Sequence, residues 1–565
     1  MDARTRFHSV TVGALPVLSA FMDKWGLAKI IDDVVPWKGD VPLGTLVEIL
    51  VLNRLQRPEA QYAIGEWAVE SGVADFYGLT AEQLNDDLLG RALERMNQHA
   101  ESAQTQLTLA AVKQWRLKIR AIHYDLSNVE FYGAFADAQP SPDKDSGEGP
   151  SPRRAPKVPF PTYGRTKSGR EDVKQIQFGM NVTADGGVPL SHQALDGNVA
   201  EARTHVANLL RLRRLLPRSR FLYCADSKLD TPENLTAAVT TGGKFLCAGA
   251  FTKPLQARYR QLRRQMKPIA YCPKSHAQRS PEQRDRYQAC ETTAALTGVF
   301  EGRCIRTKYR LIFVHSSAKA KQQAATRERH MDKIRAEFEL VHRNLGKYSL
   351  KTEDDIRRRL EKARARYTEG KLFQYRLTTK AGQFKLDWHL DEMELAQVQE
   401  LEGVFVLKTN LPKKRSITAV LTKYRDQSQV EKRFHHLKGP LAVAPMFLEK
   451  PERIAGLRFI IVLALTLMAL MERQVRKNLK GKPMKGLYPE GRVTRTPTGP
   501  RLLRRFRSLT VVIIKERGAT YRHLCEPNAV QRRILYLLNL TANDVRTFKR
   551  RCASAPQNPL TGCGT

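Results

Sequence analysis

Three acidic residues lie where phosphodiester chemistry would want them. The segments IRAIHYD and RFLYCAD read as strands that end in Asp125 and Asp226, and Glu431 falls in KYRDQSQVEKRFHHLK, which reads as a helix. Tyr424, Glu431 and Lys438 are spaced by seven residues, almost two turns, so a single helix would turn all three the same way. A carboxylate between a phenol and an ammonium suits an acid that holds a metal ion while its neighbours grip phosphates. Breaking or joining a phosphodiester needs an activated oxygen nucleophile, an in-line leaving oxygen and neutralised charge, and two divalent cations roughly 4 Å apart supply all three. Clustered carboxylates are natural ligands for Mg²⁺ or Mn²⁺, two ions per site, because these ions prefer hard oxygen donors.

The charge of the chain fits such a substrate. It has 565 residues and a formal net charge of +38, from 95 Lys and Arg against 57 Asp and Glu. A field of that size makes a polyanion the default partner, and double-stranded DNA leads the list. Residues 1–116 carry 11 basic and 15 acidic side chains, so the excess lies in the remainder. Residues 473–565 have 21 basic and 4 acidic residues, with the run RLLRRFR at 501–507; a segment so lopsided favours phosphate contact.

Other features narrow the setting. The eight cysteines are scattered without a Cys-x-x-Cys pair, which fits a reducing cytoplasm. Cys272 and His276 form half of a zinc site with no evident second half. The start, MDARTRFHSV, lacks the apolar core of a signal peptide. The longest apolar run, residues 459–471, is too short to span a bilayer and reads as a buried helix; no membrane role is expected.

Five regions are expected. Residues 1–116 read as a helical domain for DNA-end binding or dimerisation. Residues 117–250 begin an α/β core: a strand to Asp125, a Ser-Asn turn into VEFYG, a Pro- and Ser-rich loop, two strands joined at Ala-Asp-Gly-Gly, a helix over about 200–215, and a strand to Asp226 followed by a helix that Thr231 caps and Pro232 opens. Residues 251–399 read as an α+β insertion with a helical hairpin, 400–475 as the second part of the core with the signature helix, and 476–565 as a basic C-terminal region. The order of core elements matches a ribonuclease-H-like α/β fold, in which the first and fourth strands lie parallel side by side and bring Asp125 and Asp226 together. Lys167 and Arg170, in the Gly-rich YGRTKSGR, are candidates for DNA backbone contact. Asp426 is a rival third acid at a different helical angle; His435 suits packing or DNA contact, and Trp388 is a core residue or a platform for an unstacked base.

On these residues the chain resembles the insertion-sequence DDE transposases of the branch with a Tyr-Arg-Glu-Lys signature. That pattern is Tyr, two residues, Arg, three residues, Glu, six residues, Lys; here it reads Tyr424, Gln427, Glu431 and Lys438, three matches of four. HYDLSN, YCADSKLDTPENL, YGRTKSGREDVKQ, GVFVLKTN, and the N-terminal GLAKIID, IGEW and NDDLLGRAL also match. The resemblance covers most of residues 10–475. It implies a metal-dependent enzyme that binds the inverted repeats of its element, cuts the ends and joins 3′ hydroxyls to target DNA as a dimer in a synaptic complex. Asp125, Asp226 and Glu431 would hold the metals, and Tyr424 and Lys438 would contact phosphates. Gln427 departs from the pattern, since an amide lacks the charge and bidentate grip of a guanidinium; Arg425 or Arg433 would have to compensate. The alternatives are a related nuclease without strand transfer and a transposase-derived DNA-binding protein with impaired catalysis.

Overall fold

Alternating apolar residues carry the strand Ala121–Phe131, in which Ile122, Tyr124, Leu126 and Val129 are buried. It pairs antiparallel with Lys174–Thr183 along its length from Ile122↔Thr183 to Phe131↔Lys174, and that strand pairs with Pro189–Asp196. Its other edge runs parallel to Leu222–Ala225. The computed structural model that gives this arrangement describes residues 6–131, 161–163, 174–273, 276, 279–380, 383–439, 450–516 and 519–546. Its fold is mixed α/β, and contacts divide the chain into two units: Met1–Ala225 with Thr241–Gly243 and Asp426–Thr565, and Asp226–Thr240 with Lys244–Arg425.

In the first unit the strand order is Pro189–Asp196, Lys174–Thr183, Ala121–Phe131, Leu222–Ala225. The first strand does not stop at Asp125. Ser127 and Asn128, expected to turn, lie within the antiparallel ladder opposite Phe178 and Gln177, because the ladder satisfies more backbone than a local turn would. The Ala-Asp-Gly-Gly hairpin forms as expected, with Gly186 and Gly187 at φ 92° and 62°, a region that glycine enters without steric cost.

The helix Pro451–Leu479 runs through the core of this unit, and the apolar run 459–471 is buried in it. Around it pack the N-terminal helices, among them Leu15–Trp25, Leu43–Gln56 and Asp86–Gln98, together with Leu502, Phe506, Ile534 and Leu537 from the C-terminal segment. The N-terminal region is therefore neither all-helical nor separate from the C-terminal one. Arg6–Thr11 forms a strand paired antiparallel with Thr510–Glu516, which also pairs with Ala519–Leu524. One hydrophobic core serves both ends of the chain, as burial of more apolar area per residue favours.

The second unit holds the strands Lys244–Gly249, Val404–Thr409, Arg303–Ser316, Tyr287–Phe300 and Lys267–Ile269, paired antiparallel in that order. The long hairpin of residues 287–316 thus belongs with the GVFVLKTN strand, and the part with a core of its own is narrower than the expected 251–399. That core joins the helices Ser317–Arg343 and Glu353–Ala365, through Ile334, Phe338 and Leu360, to the pair of strands Phe373–Lys380 and Gln383–Leu390. Trp388 packs there against Phe338 and Phe373 at centroid distances of 5.7 and 5.9 Å. Thr231 caps the helix Pro232–Thr240 by accepting from the Asn234 N–H at 3.2 Å.

Candidate active site

The parallel pairing of Ala121–Phe131 with Leu222–Ala225 runs Ala121↔Leu222, Ile122↔Tyr223, His123↔Cys224. Asp125 and Asp226 are each two residues beyond the last pair, so equal counts separate both acids from one register point. Asp125 is half-buried and its Oδ1 accepts from the Leu126 N–H at 2.9 Å. Asp226 is also half-buried and caps the short 3-10 turn Ser227–Leu229, accepting from Lys228 N–H at 2.9 Å. The capping bond occupies one carboxylate oxygen and leaves further lone pairs for another partner.

Glu431 sits in the first turn of the helix Ser428–Lys438 and is exposed. Val430, Phe434 and Leu437, at helical spacing, bury a neighbouring side of that helix against Phe178, Met180, Val182 and Ile461. Phe434 meets Phe178 edge-on at 6.3 Å between centroids. Polar contacts then fix its position along the strands. Gln427 donates from Nε2 to the Tyr124 carbonyl at 2.8 Å, and its Oε1 lies 3.1 Å from His123 Nδ1. Gln429 donates to the Ala184 carbonyl at 3.1 Å, and Arg433 to the Gly187 and Gly186 carbonyls at 2.8 and 2.9 Å. The helix is thereby tied both to the residue before Asp125 and to the glycine turn.

These contacts involve two of the residues expected to contact DNA. Gln427 and Arg433 are 9% and 4% exposed and make these polar contacts inside the protein. Arg433 also pairs with Glu472 at 2.9 Å, and Glu472 accepts from the Gly499 N–H at 2.7 Å. Burial alone would raise the Glu472 carboxyl; Arg433, Arg476 and that N–H outweigh it and hold the group below its ordinary range. Asp185 in the glycine turn is likewise held low, since Arg473 at 2.6 Å and the Lys118 N–H offset its burial.

The expected single stripe is interrupted. Tyr424 belongs to the helix Ile417–Arg425, and Asp426 and Gln427 form a turn before Ser428–Lys438 begins. Only Glu431 and Lys438 share a helix, with Lys438 exposed in its last turn. Gln427 is the N-cap residue of the second helix, with φ −52° and ψ −30°, and its side chain bonds to the strand. Arg425 is exposed and stacks over the Phe405 ring at 5.2 Å. Lys167 and Arg170 lie outside the described residues. In the second unit Lys408 of GVFVLKTN pairs with Asp230 at 2.7 Å, both largely buried, which gives that motif a structural task four residues after Asp226.

The donors suit a hard cation, since the candidate set is all carboxylate oxygen. Among the described residues no group of three His, Cys, Asp or Glu side chains is arranged to hold a metal ion. Cys272 is exposed, and His276 Nδ1 accepts from the Asp285 N–H at 3.3 Å.

Comparison with known proteins adds a local match. The family model described as a domain of unknown function, DUF4277, matches residues 7–108, the N-terminal helical part. No curated protein matches. Among solved structures the chain is similar to one titled as a piggyBac transposase synaptic complex with hairpin DNA, at 8% identity and a TM-score of 0.36, covering 88% of this chain and 79% of that one.

Proposed function

We propose that the chain is a DNA transposase that binds the inverted repeats of an insertion sequence, cleaves the ends and joins the 3′ hydroxyls to target DNA. The observation that carries this reading is the register of the Ala121–Phe131 and Leu222–Ala225 strands, with an acid two residues past the last pair on each, beside a helix that presents Glu431 while Gln427 ties it to Tyr124. Strand order and parallel pairing support a ribonuclease-H-like core. In this reading Asp125, Asp226 and Glu431 are the ligands of two Mg²⁺ or Mn²⁺ ions. Those ions, when bound, supply activation of the attacking oxygen and neutralisation of the leaving one.

The chain's own residues do the rest. Gln427, Gln429 and Arg433 set the position of Glu431 and do not touch DNA. Lys438 and Tyr424 contact backbone phosphates, and the 21 basic residues of 473–565 supply the salt-dependent affinity for both transposon ends and target. The working form is a homodimer that holds two ends together. The experiment is strand transfer with pre-cut ends and divalent metal. Joined products are expected from the wild-type protein and none from Asp125→Asn, Asp226→Asn or Glu431→Gln. Cleavage without joining would identify a nuclease, and metal-dependent cleavage surviving all three substitutions would overturn the site.

A further inference from the structure

Arg458, on the helix Pro451–Leu479, is 4% exposed, and its Nε and Nη1 have no hydrogen-bond partner. Burial lowers its pKa to about 10, with no carboxylate opposing the effect. A buried unpaired guanidinium is costly, and proteins retain one where a counter-charge arrives. Arg458 lines a cavity of about 460 Å³ bounded by the N-terminal helix Ala100–Trp115, the strand Pro189–Asp196 and the helix Glu201–Leu215. Arg211 and Arg214 line the same cavity from the last of these, against one carboxylate, Glu101, which is exposed. Three guanidiniums on two helices therefore face one acid.

The rest of the lining adds no further positive charge. His192 is stacked between Phe178 and Phe459, with centroids 5.5 and 5.4 Å away, and its Nδ1 lies 2.7 Å from Gln104 Nε2. Burial, with Arg458 and Arg211 adding to it, pushes the His192 pKa down to about 3, so the ring is neutral at physiological pH. Arg211 uses one N–H on the His192 carbonyl at 3.3 Å, which leaves others of its five donors.

We propose that this cavity is a binding site for a phosphate-class oxyanion, with Arg458 as the buried anchor and Arg211 and Arg214 at its side. Convergent guanidiniums match a tetrahedral, multiply charged anion better than a single carboxylate. The anion is either a free phosphate compound or a phosphate of a nucleic-acid backbone. The site is independent of the transposase reading, because none of its residues belongs to the proposed catalytic set.

The test uses the full chain, with binding of inorganic pyrophosphate by calorimetry and thermal unfolding in phosphate against chloride at matched ionic strength. A parallel arm measures duplex DNA binding. Arg458→Met should lower pyrophosphate or DNA affinity by about tenfold or more and remove the phosphate-dependent rise in unfolding temperature, while in chloride it unfolds no earlier than wild type. Loss confined to pyrophosphate identifies a free ligand, and loss confined to DNA identifies a backbone phosphate; either supports the site. If Arg458→Met does not fold, Arg211→Ala with Arg214→Ala takes its place, with the same loss expected. Unchanged affinity for both probes in the folded variant overturns the proposal.

Discussion

Replacement of Gln427 by alanine separates a positioning role from a DNA contact. The amide makes a 2.8 Å bond to the Tyr124 carbonyl and a 3.1 Å contact with His123 Nδ1, and Tyr124 and His123 are 1% and 0% exposed. Water cannot easily replace what is removed. Two lost bonds at about 1 kcal/mol each, plus part of the penalty for stranded buried groups, give about 2 to 3 kcal/mol. If that cost falls on opening of the strand, amide exchange across residues 121–131 should accelerate roughly 30- to 150-fold. Hydrogen exchange read by mass spectrometry on that peptide measures it directly. Gln427→Arg should also destabilise the strand, because a longer charged side chain must enter a slot fitted to an amide. Tighter DNA binding by Gln427→Arg, with exchange across 121–131 unchanged, would refute the reasoning and assign Gln427 to a DNA contact.

Further outcomes follow from the same geometry. Glu472→Gln should cost about 3 to 5 kcal/mol, as expected when one member of a buried pair is removed, and denaturant unfolding measures it. The folded Glu472 carboxyl lies below its ordinary 4.5, so its contribution is present above that pH and is lost as pH falls towards the folded value; the variant should show a flatter acid limb. Gly456→Ala should destabilise the first unit by at least about 1 to 3 kcal/mol, since the added Cβ would meet the Leu93 carbonyl oxygen at only 2.1 Å, measurable as a lower unfolding midpoint. Trp388→Ala, at a half-buried position, should cost about 2 to 3 kcal/mol through loss of packing on Phe338 and Phe373, with exchange rising across residues 331–380.

Legibility in the sequence followed the range of the forces involved. The Ala-Asp-Gly-Gly hairpin, the Thr231 cap and the buried run 459–471 were readable because turn chemistry, capping and long apolar runs act over a few neighbouring residues. Parallel pairing of the first and fourth strands was also anticipated, from the order of elements. The strand Tyr287–Phe300 was not, because YQACETTAALTGVF has no clean apolar alternation; its register comes from 14 paired residues in Arg303–Ser316. Pairing of Arg6–Thr11 with Thr510–Glu516 joins segments about 500 residues apart, and no local pattern encodes such a partner.

The segment 417–438 shows what spacing alone cannot resolve. Seven-residue intervals assume an unbroken helix, whereas the chain turns at Asp426 and Gln427 and puts Tyr424 on a different element from Glu431. Type and charge suggested that Arg433 would reach for phosphate and that Gln427 was a deficient substitute for an arginine. Burial reverses both inferences. A guanidinium that donates to two carbonyls of a glycine turn and pairs with a 2% exposed carboxylate is more costly to withdraw than any surface phosphate contact could repay. An arginine at position 427 would have needed its own counter-charge beside Tyr124, whereas a neutral amide meets one buried carbonyl with a donor and one ring nitrogen with an oxygen. At this position neutrality is what the fold requires.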